Sequence, residues 1–399
     1  MKILTDRTFL ILFIVGCTIR FSLSFIPGQV FDIDYWIQWS QKIAEVGPAN
    51  FYGSSARTDY MPGYLYILWL LGFIKNLFSL DQQFFLILLK MPGILAELFL
   101  SVIIYILFKP FSPKLRNLAA GAILLNPALI FNSAVWGQID SLLTLFMLLT
   151  VVFLYQQKLV FSSIFFSLSF LIKPQTLSLI FLPLVILCKK FSFLNFIKLI
   201  FPAFITIYLI SLPFFPNQTF LNLFNLFSST ANQYSYNSLS AFNFWGIFGF
   251  WKEDNQIFLN FSIKNWGILM YLVYSLIILY YYYKKRFSLF TVASLATLGF
   301  YFLPTRVHER YLYPAIIFLI ISSTQAKSSK LFLLTAFLSI IHFLNLLYVY
   351  TMYNNNFFAL IYHFLEKNTT LISIVSCGLF IIISSLLIKN GEPKATPHS

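Results

Sequence analysis

The sequence predicts an all-α, polytopic membrane protein, and three observations carry that prediction. Hydrophobic residues make up 59% of the 399 positions and charged residues 10%, with a mean hydropathy of +0.80, a composition no ordinary soluble domain shows. The apolar residues form long runs in series, without the polar–apolar alternation of a barrel strand. The 27 basic residues outnumber the 13 acidic ones, for a net charge of +14, yet they sit in short clusters between the apolar runs, where cytoplasmic loops carry them. That placement excludes a nucleic-acid partner. Cys17, Cys188 and Cys377 lie far apart within apolar runs, which is neither a disulfide framework nor a CxxC metal site.

About twelve spans are expected, at 8–25, 84–108, 118–135, 139–157, 160–173, 175–188, 195–213, 266–283, 288–304, 311–325, 331–350 and 370–388. Several fall short of the ~20 residues a crossing needs. The first follows Lys2 and Arg7 and lacks a small-residue cleavage pattern, so it reads as an uncleaved helix. Lys109, Lys114 and Arg116 mark one inside loop. Lys158, Lys189-Lys190, Lys284-Lys285-Arg286, Lys327 with Lys330, and Lys389 mark the others. Residues 26–83, the turn Trp136–Asp140, the turn near Lys173, loop 214–265, the turn holding His308 and loop 351–369 then fall outside. Within 26–83, Tyr64–Phe78 reads as a juxtamembrane or re-entrant helix, the alternative being a thirteenth span. Tyr35–Val46 reads as an amphipathic helix with Trp36, Trp39 and Ile43 able to face lipid. The chain divides into a catalytic-size membrane module over 1–350, an external loop with a last helix over 351–390, and a short cytoplasmic tail over 391–399.

Charge clustered at a membrane boundary is expensive and marks candidate sites. Asp32 and Asp34 open the first external helix, where a carboxylate can take a proton from a bound hydroxyl or simply suit a helix N-terminus. Asp59 precedes Pro62-Gly63 and can cap the helix that follows. Gln138 and Asp140 stand like a D-x-D element that can hold sugar hydroxyls or a divalent ion, with helix capping as the plainer role for Asp140. Arg306, His308, Glu309 and Arg310 crowd five positions of an outside turn, against the positive-inside trend. Their alternative is solvated loop charge, but Arg forks match phosphate oxygens. Lys173 adds an outside cation. HExxH, P-loop, GxSxG and Rossmann glycine patterns are all missing.

The order of these pieces resembles the GT-C superfamily of membrane glycosyltransferases that use polyprenyl-phosphate sugars. It is most similar to bacterial relatives of the second GPI mannosyltransferase, and less so to dolichyl-phosphate glucosyltransferases. The matching residues run from Asp32 and Trp39 through Gly47-Pro48, Phe51-Tyr52, Asp59–Tyr66, Lys90-Met91-Pro92, Glu97 and Asn126-Pro127. They continue through Trp136–Asp140, Lys173-Pro174-Gln175, Asn237, Ala241–Gly246 and His308–Tyr311. Met61 stands where that pattern has a first proline, Glu97 where Asp is common, and Gln138 where a metal-binding D-x-D would have Asp.

The resemblance implies an inverting transfer of a hexose, mannose by preference, from a polyprenyl-phosphate donor to a lipid-linked glycan or glycolipid acceptor. The work would be done at the outer face of the cytoplasmic membrane. It makes Asp32 the general base. Arg310, Arg306, Lys173 and His308 would meet the donor phosphate. Asp34, Asp59, Gln138, Asp140, Glu309, Asn237 and Trp245 would line the sugar and acceptor side. No cofactor is required, a divalent metal being left open. A lipid or glycan transporter or flippase is the alternative function, and a non-catalytic membrane scaffold a third.

Overall fold

The computed structural model describes residues 6–55, 58–183, 192–285, 288–354 and 359–389, the side chain of residue 285 apart. Lys2, Cys188, Lys189, Lys190, Arg286 and the tail 391–399, all used in the topology above, lie outside the described residues, as does most of the second half of the expected span 175–188. The chain is nearly all helix. In order come α1 (Arg7–Leu23), α2 (Val30–Val46), α3 (Pro48–Phe51), α4 (Pro62–Phe78), α5 (Gln82–Leu107), α6 (Pro113–Leu124), α7 (Pro127–Ile130), α8 (Asp140–Tyr155), α9 (Leu159–Ile172), α10 (Phe193–Ser211), α11 (Thr219–Gln233), α12 (Ile263–Lys285), α13 (Leu289–Phe302), α14 (Tyr313–Gln325), α15 (Ser329–Tyr353) and α16 (Ala359–Lys389). A two-residue antiparallel ribbon pairs β1 (Ile257–Phe258) with β2 (Phe261–Ser262).

The starts of these helices are written in the sequence. Pro48, Pro62, Pro113, Pro127 and Pro314 occupy first turns, where a missing N–H costs nothing. Ser112, Asn126, Ser288 and Ser328 cap their helices with side-chain oxygens. Among the described residues, six helical stretches are long and apolar enough to cross a membrane: Gln82–Leu107, Pro113–Trp136, Phe193–Ser211, Ile263–Lys284, Ser329–Tyr353 and Ala359–Lys389. The protein is therefore a multi-pass membrane protein. The expected count of about twelve is not reached by helices of crossing length among the described residues. Asp140–Tyr155, Leu159–Ile172 and Leu289–Phe302 are apolar but only 16, 14 and 14 residues long. Polar turns and prolines cut these runs short of the length a crossing needs.

The chain folds as two compact units. One comprises Met1–Arg20, Glu97–Asn132 and Ser235–Ser399. Its centre is α14, apolar all round and buried along nearly its whole length, packed between α13 and α15. The other comprises Phe21–Ala96 and Ser133–Tyr234, in which α2 lies on α4, α4 on α9, and α9 between α8 and α10.

Four expectations are corrected. Trp36, Trp39 and Ile43 do not face lipid; they are buried, and α2 turns Tyr35 and Gln38 outward instead. An aromatic stripe reads the same whether lipid or protein covers it, and here α4 is packed on the helix. Asp59 does not cap α4; Met61 holds the N-cap position without a side-chain bond, and the Asp59 carbonyl accepts from Thr230 Oγ1 at 3.1 Å. Loop 214–265 contains α11 and the small ribbon. Loop 351–369 is largely the end of α15 and the start of α16.

Candidate functional site

In the unit that holds α2, the site begins at a helix N-terminus. Gln29 caps α2, its side-chain oxygen accepting from the Asp32 N–H at 2.8 Å, which fixes Asp32 in the first turn. The second wall comes from the segment before α8. Residues Phe131–Trp136 form a π-helical turn, a distortion often found where a helix must aim side chains at a site. Gly137 follows at φ +93°, and α8 begins at Asp140 as the sequence predicts. An added Cβ at Gly137 would stand 2.9 Å from Ile33 Cδ1 and 3.3 Å from Lys90 Cγ. Positive φ and this close approach both call for glycine. The buried amine of Lys90 ties the same two segments together, donating to the carbonyls of Ser24 at 3.1 Å, Ile26 at 2.5 Å and Ala134 at 3.0 Å.

These supports bring four sequence-predicted residues together. Asp32, half-buried, accepts at Oδ2 from Trp136 Nε1 at 2.7 Å and from Gln138 Nε2 at 2.6 Å. Gln138 is fully buried, and its Oε1 accepts from Lys173 Nζ at 3.0 Å. Lys173, which closes α9, reaches Asp140 Oδ1 at 2.7 Å, a contact between two buried charges. The face of the Tyr60 ring lies 5.8 Å from the same ammonium. The result is a continuous polar chain, Asp32–Gln138–Lys173–Asp140, in an apolar unit. Among the described residues, both side-chain donors to the Asp32 carboxylate meet Oδ2, and none meets Oδ1. Asp34 lies exposed on α2 and Asp59 half-buried before α4.

The remaining predicted residues belong to the other unit. Arg306 lays its fork on Asp254, Nε to Oδ2 at 2.7 Å and Nη2 to Oδ1 at 3.1 Å, and Thr305 Oγ1 adds a bond at 2.9 Å. Arg310 Nη1 meets Glu309 Oε1 at 2.8 Å, and His308 Nδ1 lies 3.7 Å from Glu309 Oε2. Burial pushes the Glu309 carboxyl up, but the Arg310 charge and the His308 contact outweigh it and hold it down at about 2. Asn237 spends its amide on the backbone, donating to Gly249 O and Trp245 O and accepting from the N–H groups of Ser238 and Lys252. Trp245 Nε1 donates to Leu303 O at 2.7 Å. Both act as staples of the loop between α11 and α12.

Each predicted cation thus meets a carboxylate of its own unit: Lys173 with Asp140, Arg306 with Asp254 and Arg310 with Glu309. Among the described residues, no three His, Cys, Asp or Glu side chains gather in a way that could hold a metal ion. Sequence reasoning gave no role to Trp136, Lys90, Asp254 or Arg20. Lys90 and Arg20 carried a usable signal, since each is a charge inside an apolar run and demands a buried partner. Trp136 and Asp254 carried none beyond their neighbours. Comparison with protein-family models and with curated proteins finds no match.

Proposed function

We propose that this protein is an inverting glycosyltransferase in which Asp32 is the general base. It would transfer a hexose, mannose by preference, from a polyprenyl phosphate to a hydroxyl of a lipid-linked glycan or glycolipid. The observation that carries the proposal is the carboxylate geometry of Asp32. Two neutral donors hold Oδ2 in place, at 2.7 and 2.6 Å, while Oδ1 is left to a substrate and the residue stays half-exposed at a helix N-terminus. A general base needs that combination of fixed orientation and one reachable oxygen. Indole and amide hydrogens also mark the site as polar where its surroundings are apolar, which suits a sugar hydroxyl and a lipid carrier side by side.

The chemistry is a single displacement. The acceptor oxygen attacks the anomeric carbon from the face opposite the phosphate, and its proton passes to Asp32 Oδ1. The new C–O bond forms as the bond to phosphate breaks, and the electron pair leaves with the polyprenyl phosphate. A phosphate monoester departs without a general acid, so one carboxylate suffices. Both substrates are lipid-linked, which places the reaction at the membrane surface. The basic clusters of the sequence, read as inside loops, support a site at the outer face of the cytoplasmic membrane. The finer topology, about twelve crossings with α2 and α4 juxtamembrane, belongs to this proposal.

The test is transfer by the purified protein in detergent, with a short-chain polyprenyl-phosphate mannose and a mixed lipid-glycan acceptor pool. Asp32→Asn keeps the side-chain shape and an oxygen for Trp136 and Gln138, so the folded protein persists. Loss of a positioned base lowers turnover by roughly 10²–10⁴. A wild-type product that Asp32→Asn makes at an undiminished rate refutes the base. Vesicle-free detergent also separates transfer from transport, which has no meaning there.

A further inference from the structure

The polar chain behind Asp32 has a property its members lack singly: it fixes the orientation of one amide. Gln138 lies between a group that only donates and a group that only accepts. The Lys173 ammonium has no lone pair, so it must meet Oε1, at 3.0 Å; the Asp32 carboxylate has no hydrogen, so it must meet Nε2, at 2.6 Å. The flipped amide would set oxygen against carboxylate and NH₂ against ammonium. Gln138 is fully buried, so water does not compete for either end. Asp140, also fully buried, anchors the far side of Lys173 at 2.7 Å.

We propose that Lys173, held by Asp140 and acting through Gln138, is a positioning residue for Asp32, and that this role takes the place of the phosphate contact expected of it. The proposal rests on Asp32 being the base. An ammonium already neutralised by a buried carboxylate offers an incoming phosphate little net charge. It offers the base a great deal: it holds the amide hydrogen on Oδ2 and so turns Oδ1 toward the acceptor hydroxyl. Gly93 of α5 keeps the assembly closed, since its Cα side lies where a Cβ would stand 2.6 Å from the Gln138 carbonyl oxygen.

The titratable groups around Asp32 come from several elements: Asp34 on α2 itself, Tyr64 on α4, Lys90 on α5, Asp140 on α8 and Lys173 at the end of α9. Of these, Tyr64 feels the Asp32 charge directly, and Lys90 is committed to three carbonyls. Lys173 and Asp140 are the pair joined to Asp32 by hydrogen bonds through Gln138.

The experiment compares wild type with Lys173→Met and with Lys173→Met/Asp140→Asn, using the full-length protein in detergent. The double variant matters because the single one leaves Asp140 buried without its cation and can fail to fold. Infrared difference spectra follow the Asp32 carboxylate band, assigned by its loss in Asp32→Asn, and transfer kinetics are measured in parallel. Once the amide is unlocked, the antisymmetric carboxylate stretch should move from its wild-type frequency as Oδ2 loses its held hydrogen bond from Gln138. Turnover should fall about tenfold or more, and the KM for the donor should stay within about twofold. An unmoved band with a raised donor KM would make Lys173 a phosphate anchor and overturn the proposal. An unmoved band with unchanged kinetics would overturn it as well. The infrared reading needs no turnover, so a wild type that transfers no sugar would refute the glycosyltransferase reading while the coupling of Lys173 to Asp32 is still decided.

Discussion

Arg20 offers a sharp test of what holds the first unit together. Its guanidinium and the Glu97 carboxylate are both fully buried and 2.8 Å apart. The other Nη hydrogens go to backbone oxygens: Nη1 to Gly16 O at 2.9 Å and Leu124 O at 2.8 Å, Nη2 also to Ile123 O at 3.2 Å, while Nε meets no acceptor among the described residues. Ile123 and Leu124 end α6, so Arg20 adds a donor to the last carbonyls of that helix, where Ile123 O also accepts from the Asn126 N–H at 3.3 Å. Arg20→Met removes all of this and leaves a fully buried carboxylate without its guanidinium, which costs about 3–5 kcal/mol. Glu97→Gln keeps an acceptor oxygen and turns a charge-assisted bond into a neutral one, a loss of about 1–2 kcal/mol, with three carbonyl dipoles still around the guanidinium. Arg20→Met/Glu97→Leu removes both charges together. Exchange of a buried pair for apolar groups is often near neutral, so the double variant should be more stable than Arg20→Met, despite the lost donor to Leu124 O. Thermal unfolding in detergent, followed by circular dichroism, ranks the three. If Arg20→Met unfolds with wild type, or the double variant proves weaker than Arg20→Met, the burial argument fails.

Gly93→Ala should disturb the site without touching a polar group. Its new methyl must push the Gln138 carbonyl away, and a displacement near 1 Å at a reacting group costs on the order of 10² in rate; a variant with wild-type turnover would mean that the turn at Gly137 absorbs the push. Glu309 predicts an acid sensitivity with a definite sign. Its carboxyl is held at about 2 against an ordinary 4.5, so the folded state gains stability above pH 4.5 and loses it as pH falls from 4.5 toward 2. Unfolding scans across that window should show the loss in wild type and a flatter profile in Glu309→Gln.

A good part of this molecule is legible in the residues alone. Composition and run length dictate a helical membrane protein, and Pro62, Pro113, Ser112, Asn126 and Ser288 mark where helices begin because capping and the proline ring act within one turn of chain. The start of α8 at Asp140, and helices where the first external loop was expected to carry them, follow from the same local rules. Tertiary structure alone decides which way a face points. Lipid and protein interior are equally apolar, so Trp36, Trp39 and Ile43 read as lipid-facing until α4 is seen to cover them. It also decides which polar groups meet. Trp136 and Gln138 reach Asp32 across more than a hundred residues, and Asp254 claims Arg306 from 52 residues away. A buried polar atom must find a partner somewhere, which sequence can foretell for Arg20 and Lys90. Which partner it finds depends on how helices distant in the chain are brought side by side.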